Sequence, residues 1–179
     1  IVFVTIAEWE TLMPVYSGPL GTTPPNDVAI SGDGSRIYAA GVWTDPNSPV
    51  TLNDGNLRIY DSATGQLLST IALGTRLGGI DISPDGRFLM VVERVPLAST
   101  GFGASATSTM TVYKVDLATG TVQSFPYTGT GFVTSFYDVA VLSDGTVMLT
   151  SGTSGSGIVE MRILNLATGV YSDGPGVPQ

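Results

Sequence analysis

Three aspartates, Asp27, Asp81 and Asp138, open three short apolar runs and are the side chains of this sequence most obviously placed for chemistry. A strand period of two puts Asp27, Gly79, Asp81 and Asp138 on one strand face, and Asp27 and Asp138 stand at the same distance ahead of a downstream Asp-Gly pair. Carboxylates gathered from adjacent units could hold a hard cation such as Ca²⁺, which takes oxygen ligands only. The plainer alternative is that each carboxylate accepts hydrogen bonds from adjoining loop backbone. A second group is Trp43, Asp45 and Asp54, in a loop that also carries Asn53. An aromatic ring beside amide and carboxylate groups suits a sugar or a peptide, whereas a tryptophan packed over its own loop base is the competing reading. Arg76 and the neighbours Glu93 and Arg94 form a third group, a concentration of opposite charge that an ordinary surface ion pair would also explain.

Much else is excluded. The 179 residues contain no His and no Cys, which removes His- and Cys-based nucleophilic triads, thiolate zinc sites, iron-sulfur clusters and disulfides. Fifteen acidic against seven basic residues, with Lys114 the single lysine, argue against a nucleic-acid partner, since a phosphate backbone needs clustered positive charge. No apolar run approaches the ~18 residues of a membrane-spanning helix. Gly101 and Gly103 are not a phosphate loop, because no lysine follows and no helix is there to receive an anion.

The elements that must position these residues come from repeats. Ser31-Gly32-Asp33-Gly34, Ser83-Pro84-Asp85-Gly86 and Ser143-Asp144-Gly145 form one series. Asp61-Ser62-Ala63-Thr64-Gly65, Asp116-Leu117-Ala118-Thr119-Gly120 and Asn165-Leu166-Ala167-Thr168-Gly169 form a second, interleaved with the first at a period of about 50 residues. Each turn is flanked by short apolar runs, so each marks a hairpin. The turn aspartates Asp33, Asp85 and Asp144 are explained by turn formation; a calcium loop would supply several oxygens, and each of these offers one carboxylate followed at once by glycine.

Two hairpins per unit make a four-stranded antiparallel meander, A to D, the size of a propeller blade. The reading is all-β: half a blade over 1–17, then blades over 26–74, 75–127 and 132–174, about 3.5 blades in all, an incomplete ring. Strands are expected at about 110–116 and 121–125 in the second of these blades and at about 137–142 in the third. The uncharged run Ser99 to Thr109 is expected to be a mobile loop, and 128–135 a connection. Long B-C and D-A connections share one end of the blades and minimal turns the other, which places function at the long-loop end.

The motifs Ile82-Ser83-Pro84-Asp85-Gly86-Arg87-Phe88 and Arg58-Ile59-Tyr60-Asp61-Ser62-Ala63-Thr64-Gly65 resemble those of the YVTN-type and lactonase-like bacterial propellers, which are seven-bladed. The resemblance covers nearly the whole chain, and its motifs are structural. It implies a propeller and, since lactonase-like members use face carboxylates and arginine for substrate, it makes Arg76, Glu93 and Arg94 the enzyme candidates. Without histidine, a general base poised near neutral pH would have to be a perturbed carboxylate. The leading expectation is therefore a non-catalytic module that binds a protein or glycan partner; the alternative is part of a lactone hydrolase or lyase. No cofactor is expected beyond Ca²⁺ at Asp27, Asp81 and Asp138. A strand-like opening at Ile1, with neither initiator Met nor signal peptide, reads as an excerpt or processed product. Abundant Thr, Ser and Gly with one lysine point to a secreted or cell-surface bacterial protein, and the incomplete ring points to a second polypeptide that completes it.

Overall fold

Asp-Gly closes the first hairpin of every unit because its glycine takes a left-handed backbone, with φ of 72° at Gly34, 70° at Gly86 and 81° at Gly145. The structure, a computed structural model, describes residues 25–41, 55–94, 107–130, 133–153 and 160–174. In each turn the aspartate holds the backbone from inside. Asp33 accepts from the Ser31 hydroxyl (2.6 Å) and the Ser35 N–H (3.0 Å), Asp85 from the Ser83 hydroxyl (2.7 Å) and the Arg87 N–H (3.1 Å), and Asp144 from the Thr146 N–H (2.8 Å). At the second hairpin Asp61, Asp116 and Asn165 accept from the N–H groups two and three residues further on.

Among the described residues twelve strands result: β1 (Asp27–Ile30), β2 (Arg36–Ala40), β3 (Asn56–Asp61), β4 (Leu67–Ala72), β5 (Leu77–Ile82), β6 (Phe88–Glu93), β7 (Thr107–Asp116), β8 (Val122–Thr130), β9 (Val133–Val141), β10 (Thr146–Thr153), β11 (Glu160–Asn165) and β12 (Val170–Asp173). They form three four-stranded antiparallel sheets in chain order, β1 to β4, β5 to β8 and β9 to β12. Among the described residues there is no helix. We call the sheets blades 1, 2 and 3. Residues 1–17, read as half a blade, lie outside the described residues.

Blades pack face to face. Tyr38, Ala40 and Leu57 of blade 1 meet Leu77, Ile80, Leu89, Val91, Tyr113 and Val115 of blade 2. The opposite face of blade 2, with Met90, Val92, Met110, Val112 and Phe125, meets Phe136, Val139, Val141, Val147, Leu149 and Leu164 of blade 3. Blade 2 is thus covered on both sides, which is why β6 reads as a continuous apolar run, Phe88 to Val92, and not as an alternating one. Tyr127, Phe136 and Tyr171 add an aromatic cluster with ring centroids 4.9–6.4 Å apart. The Tyr171 hydroxyl donates to the Phe125 carbonyl at 2.7 Å, and burial raises its pKa.

Two departures from the sequence reading matter. The β7–β8 ladder runs on to Thr107 opposite Thr130, so the tail of the threonine-rich run and the start of the supposed 128–135 connection are strand. β-Branched threonines fit a pleated ladder, and pairing overrides their loop-like composition. The second departure is a β-bulge in each of β5 and β9, apart from further register shifts between Ile59 and Tyr60 and between Gly152 and Thr153. In β5 the register shifts between Leu77, opposite Glu93, and Ile80, opposite Val91; in β9 it shifts between Asp138, opposite Thr150, and Phe136, opposite Ser151. A bulge changes the face parity, which lets Phe136 enter the core beside Val139 and Val141 although it stands at an even position.

Candidate functional site

The two bulges sit side by side at the long-loop end of the blades and leave a cleft of about 250 Å³ lined by Asn26, Asp27, Gly78, Gly79, Arg94, Tyr137 and Asp138. Glycine at 78 and 79 is what lets the walls approach: a Cβ at Gly79 would lie 2.7 Å from the Asp138 Cα, and one at Gly78 would lie 3.0 Å from the Arg94 Cγ. Tyr137, the residue displaced by the bulge in β9, stands 47% exposed. The Arg94 guanidinium lies over its ring, 4.7 Å from the centroid, a cation–π contact.

Asp27 and Asp138 share this cleft, whereas Asp81, two positions deeper along its strand, does not line it. Convergence of all three is therefore corrected, and among the described residues no group of three acidic side chains is placed to hold a metal ion. The reason is that their carboxylates serve backbone. Asp27 accepts from its own Val28 N–H at 2.8 Å and, across the blade boundary, from the Ile80 N–H at 2.9 Å. Asp81 repeats the pattern one blade on, with Ile82 at 2.9 Å and Val141 at 2.7 Å. Asp138 accepts from Val139 at 2.9 Å through Oδ1. The carboxylates do cap backbone, but strand backbone in place of the expected loop, with two of the five N–H donors in the neighbouring blade.

Glu93 is also corrected. It is only 9% exposed, and its Oε1 accepts from the Thr75 N–H (3.0 Å) and hydroxyl (3.2 Å), with the Tyr113 hydroxyl 3.5 Å from Oε2. That closeness and burial raise the Tyr113 pKa, burial being the larger cause. Among the described residues no ion pair joins Glu93 to Arg76 or Arg94. What links Arg76 and Arg94 is backbone, the Arg94 N–H donating to the Arg76 carbonyl at 2.6 Å. Trp43, Asp45 and Asp54 lie outside the described residues. Tyr137 and Asn26 were missed by the sequence reading. Their signal was weak: a tyrosine beside an expected strand-head aspartate, and a Gly-Gly pair, Gly78-Gly79, where an expected connection meets an expected strand.

No family model matches this chain, and no curated protein matches it significantly. Among solved structures, Kuenenia stuttgartiensis hydrazine synthase superposes with a TM-score of 0.58 at 19% identity, over 83% of this chain and 37% of that one. TolB from Acinetobacter baumannii superposes with a TM-score of 0.49 at 18% identity, over 85% of this chain and 32% of that one. The likeness to hydrazine synthase, together with the three stacked sheets, shows a β-propeller with four-stranded antiparallel blades and an incomplete ring. This chain spans about a third of the length of these neighbours. The YVTN-type resemblance accordingly narrows to propeller architecture.

Proposed function

We propose that the chain is a non-catalytic propeller module of a larger secreted or cell-surface assembly, that it binds a protein or glycan partner through its long-loop end, and that a second polypeptide completes its ring. The observation that carries the binding part is the bulge-built cleft. Arg94 stacked on Tyr137 offers a flat, amphipathic wall with guanidinium donors, and Asp138 opposite offers an acceptor with which Arg94 makes no ion pair among the described residues. A stacking wall facing an acceptor fits a sugar ring or an extended peptide. Asp27 and Asp138 by themselves provide too few oxygens for Ca²⁺, which takes 6–8. Composition, not the cleft, supports the location. The lactone hydrolase or lyase alternative is weaker, because Glu93, its carboxylate, is held by Thr75 and Tyr113.

Glycan and peptide arrays probed with the wild-type chain and with Arg94→Glu and Tyr137→Ala test the binding part. Binding should fall at least tenfold in both variants with Tm unchanged; binding retained by both would overturn the assignment of the cleft. The mass and stoichiometry of the native assembly test the rest. A second propeller-bearing polypeptide is expected, and a monodisperse monomer of 18.5 kDa that unfolds cooperatively would sink the proposal.

A further inference from the structure

An innermost strand pairs on one edge only, so alternate N–H groups point away from its sheet. Ser31, Ser83 and Leu142 donate inward, to the carbonyls of Arg36, Phe88 and Thr146. The outward set is then Val28 and Ile30 in β1, Ile80 and Ile82 in β5, and Val139 and Val141 in β9. Counted back from the turn aspartates Asp33, Asp85 and Asp144, these stand at two levels, five and three residues before the turn.

Each strand-head aspartate serves one level in two blades. Asp27, six before its turn, holds the five-level N–H of its own blade, Val28, and of the next, Ile80. Asp81, four before its turn, holds the three-level groups Ile82 and Val141. Asp138 returns to the six position and holds Val139 through Oδ1, while its Oδ2 has no donor among the described residues. The alternation six, four, six gives every outward N–H of β5 and the corresponding pair of β9 one carboxylate oxygen. Two successive blades with aspartate at the six position would crowd two carboxylates onto one level and leave the other bare. Gly79 shows the steric side of the rule: it holds the six position in blade 2, where a Cβ would run into Asp138.

On the same face of blade 3 as Asp138 lie Ala140, Met148 and Ile163, with Val170 61% exposed and Leu142 40% exposed. On the equivalent face of blade 2, Met90, the counterpart of Met148, is fully buried against blade 3 together with its neighbours Val92, Met110 and Val112. We propose that this flank docks a further four-stranded blade carried by the second polypeptide, and that Asp138 selects it. Its Oδ2 accepts the N–H five residues before the incoming A-B turn, and the incoming strand has a small residue, not aspartate, at the six position, with any aspartate at the four position. A second copy of this chain is a poor occupant: the outward face of its blade 1 is already closed, with Ile37, Ala39 and Tyr60 at most 3% exposed. The inference rests on ring completion by a second polypeptide, and the composition of the native assembly tests that alone.

The register is tested separately on the full chain extended at its C-terminus by a flexible linker and a copy of residues 75–130. That copy has the required order, Gly79 then Asp81; a control copy carries Gly79→Asp with Asp81→Gly on the same apolar flank. Amide exchange at the copied Ile80 is the readout. It should slow at least tenfold in the required order, return to the fast rate with Asp138→Ala in the original blade 3, and be partly restored by Asp138→Asn, which keeps an acceptor oxygen. Exchange at the original Val141 should not change, showing that blade 3 is intact. Equal protection in both orders, protection in neither, or protection indifferent to Asp138→Ala would each overturn the proposal.

Discussion

The two ends of the blades use the same side chain in opposite ways. At the short-turn end Asp33, Asp85 and Asp144 are solvent-exposed and bond only to residues two positions away; at the long-loop end Asp27 and Asp81 bond across 53 and 60 residues to the next blade. The first set shapes a hairpin that would form in any blade. The second set joins blades at a defined level. Position along the innermost strand, and not residue type, separates local from tertiary work.

The sharpest way to break this contrast is to remove one carboxylate of each kind. Asp81→Ala strands the Ile82 and Val141 N–H groups at once and should cost about 2–4 kcal/mol, at roughly 1–2 per part-buried orphan. Its urea midpoint should fall well below that of Asp85→Ala, whose partners in the turn can turn to water; equal midpoints would contradict the division. Glycines sharpen it next. Gly79→Ala meets the Asp138 backbone and should cost about 1–3 kcal/mol by overpacking, whereas Gly86→Ala has open space and should cost about 1 kcal/mol through its φ of 70°. Amide exchange at Val139 and Val141 should accelerate in the first variant and not in the second.

The smallest effect is expected in acid. Asp33 is held from 3.8 down to about 2, first by the Ser31 hydroxyl and then by Ser35. Asp61, Asp85, Asp116 and Asp144 are lowered too, chiefly by Thr64, Ser83, Thr119 and Thr146 respectively. A carboxyl lowered in the folded state contributes stability that is complete above the unfolded pKa, near 4, and lost as pH falls through the folded value. Thermal scans should therefore show Tm dropping between about pH 4 and pH 2, with a shallower drop in the Asp33→Ala, Asp85→Ala double variant. An unchanged profile would show that the turn hydrogen bonds do not favour the ionised carboxyl.

Local chemistry made the hairpins legible. Asp-Gly and Ala-Thr-Gly act through bonds to residues two or three away, and their spacing alone implied repeated four-stranded units and the all-β propeller that the stacked sheets and the hydrazine synthase likeness show. The candidate site was legible only in part. Asp27, Asp138 and Arg94 belong to the cleft, but Asp81 does not, and Glu93 is a buried clamp. A strict period of two put Asp81 with the others and gave no hint that Phe136 would enter the core.

Depth along the strand, four residues before the turn and not six, keeps Asp81 out of the cleft, and a bulge brings Phe136 into the core. A one-residue slip in β5 or β9 flips every preceding side chain to the other face, and whether it occurs depends on how Phe136 packs against Met90, Val92 and Tyr171 from other strands and blades. Turn chemistry, strand alternation and blade period are set by interactions within a few residues, so the sequence by itself determined them. The cleft, the Arg94–Tyr137 stack and the carboxylate level at each blade boundary depend on contacts separated by 50 residues or more or on face parity behind a bulge, and those only the packing of one blade on the next could decide.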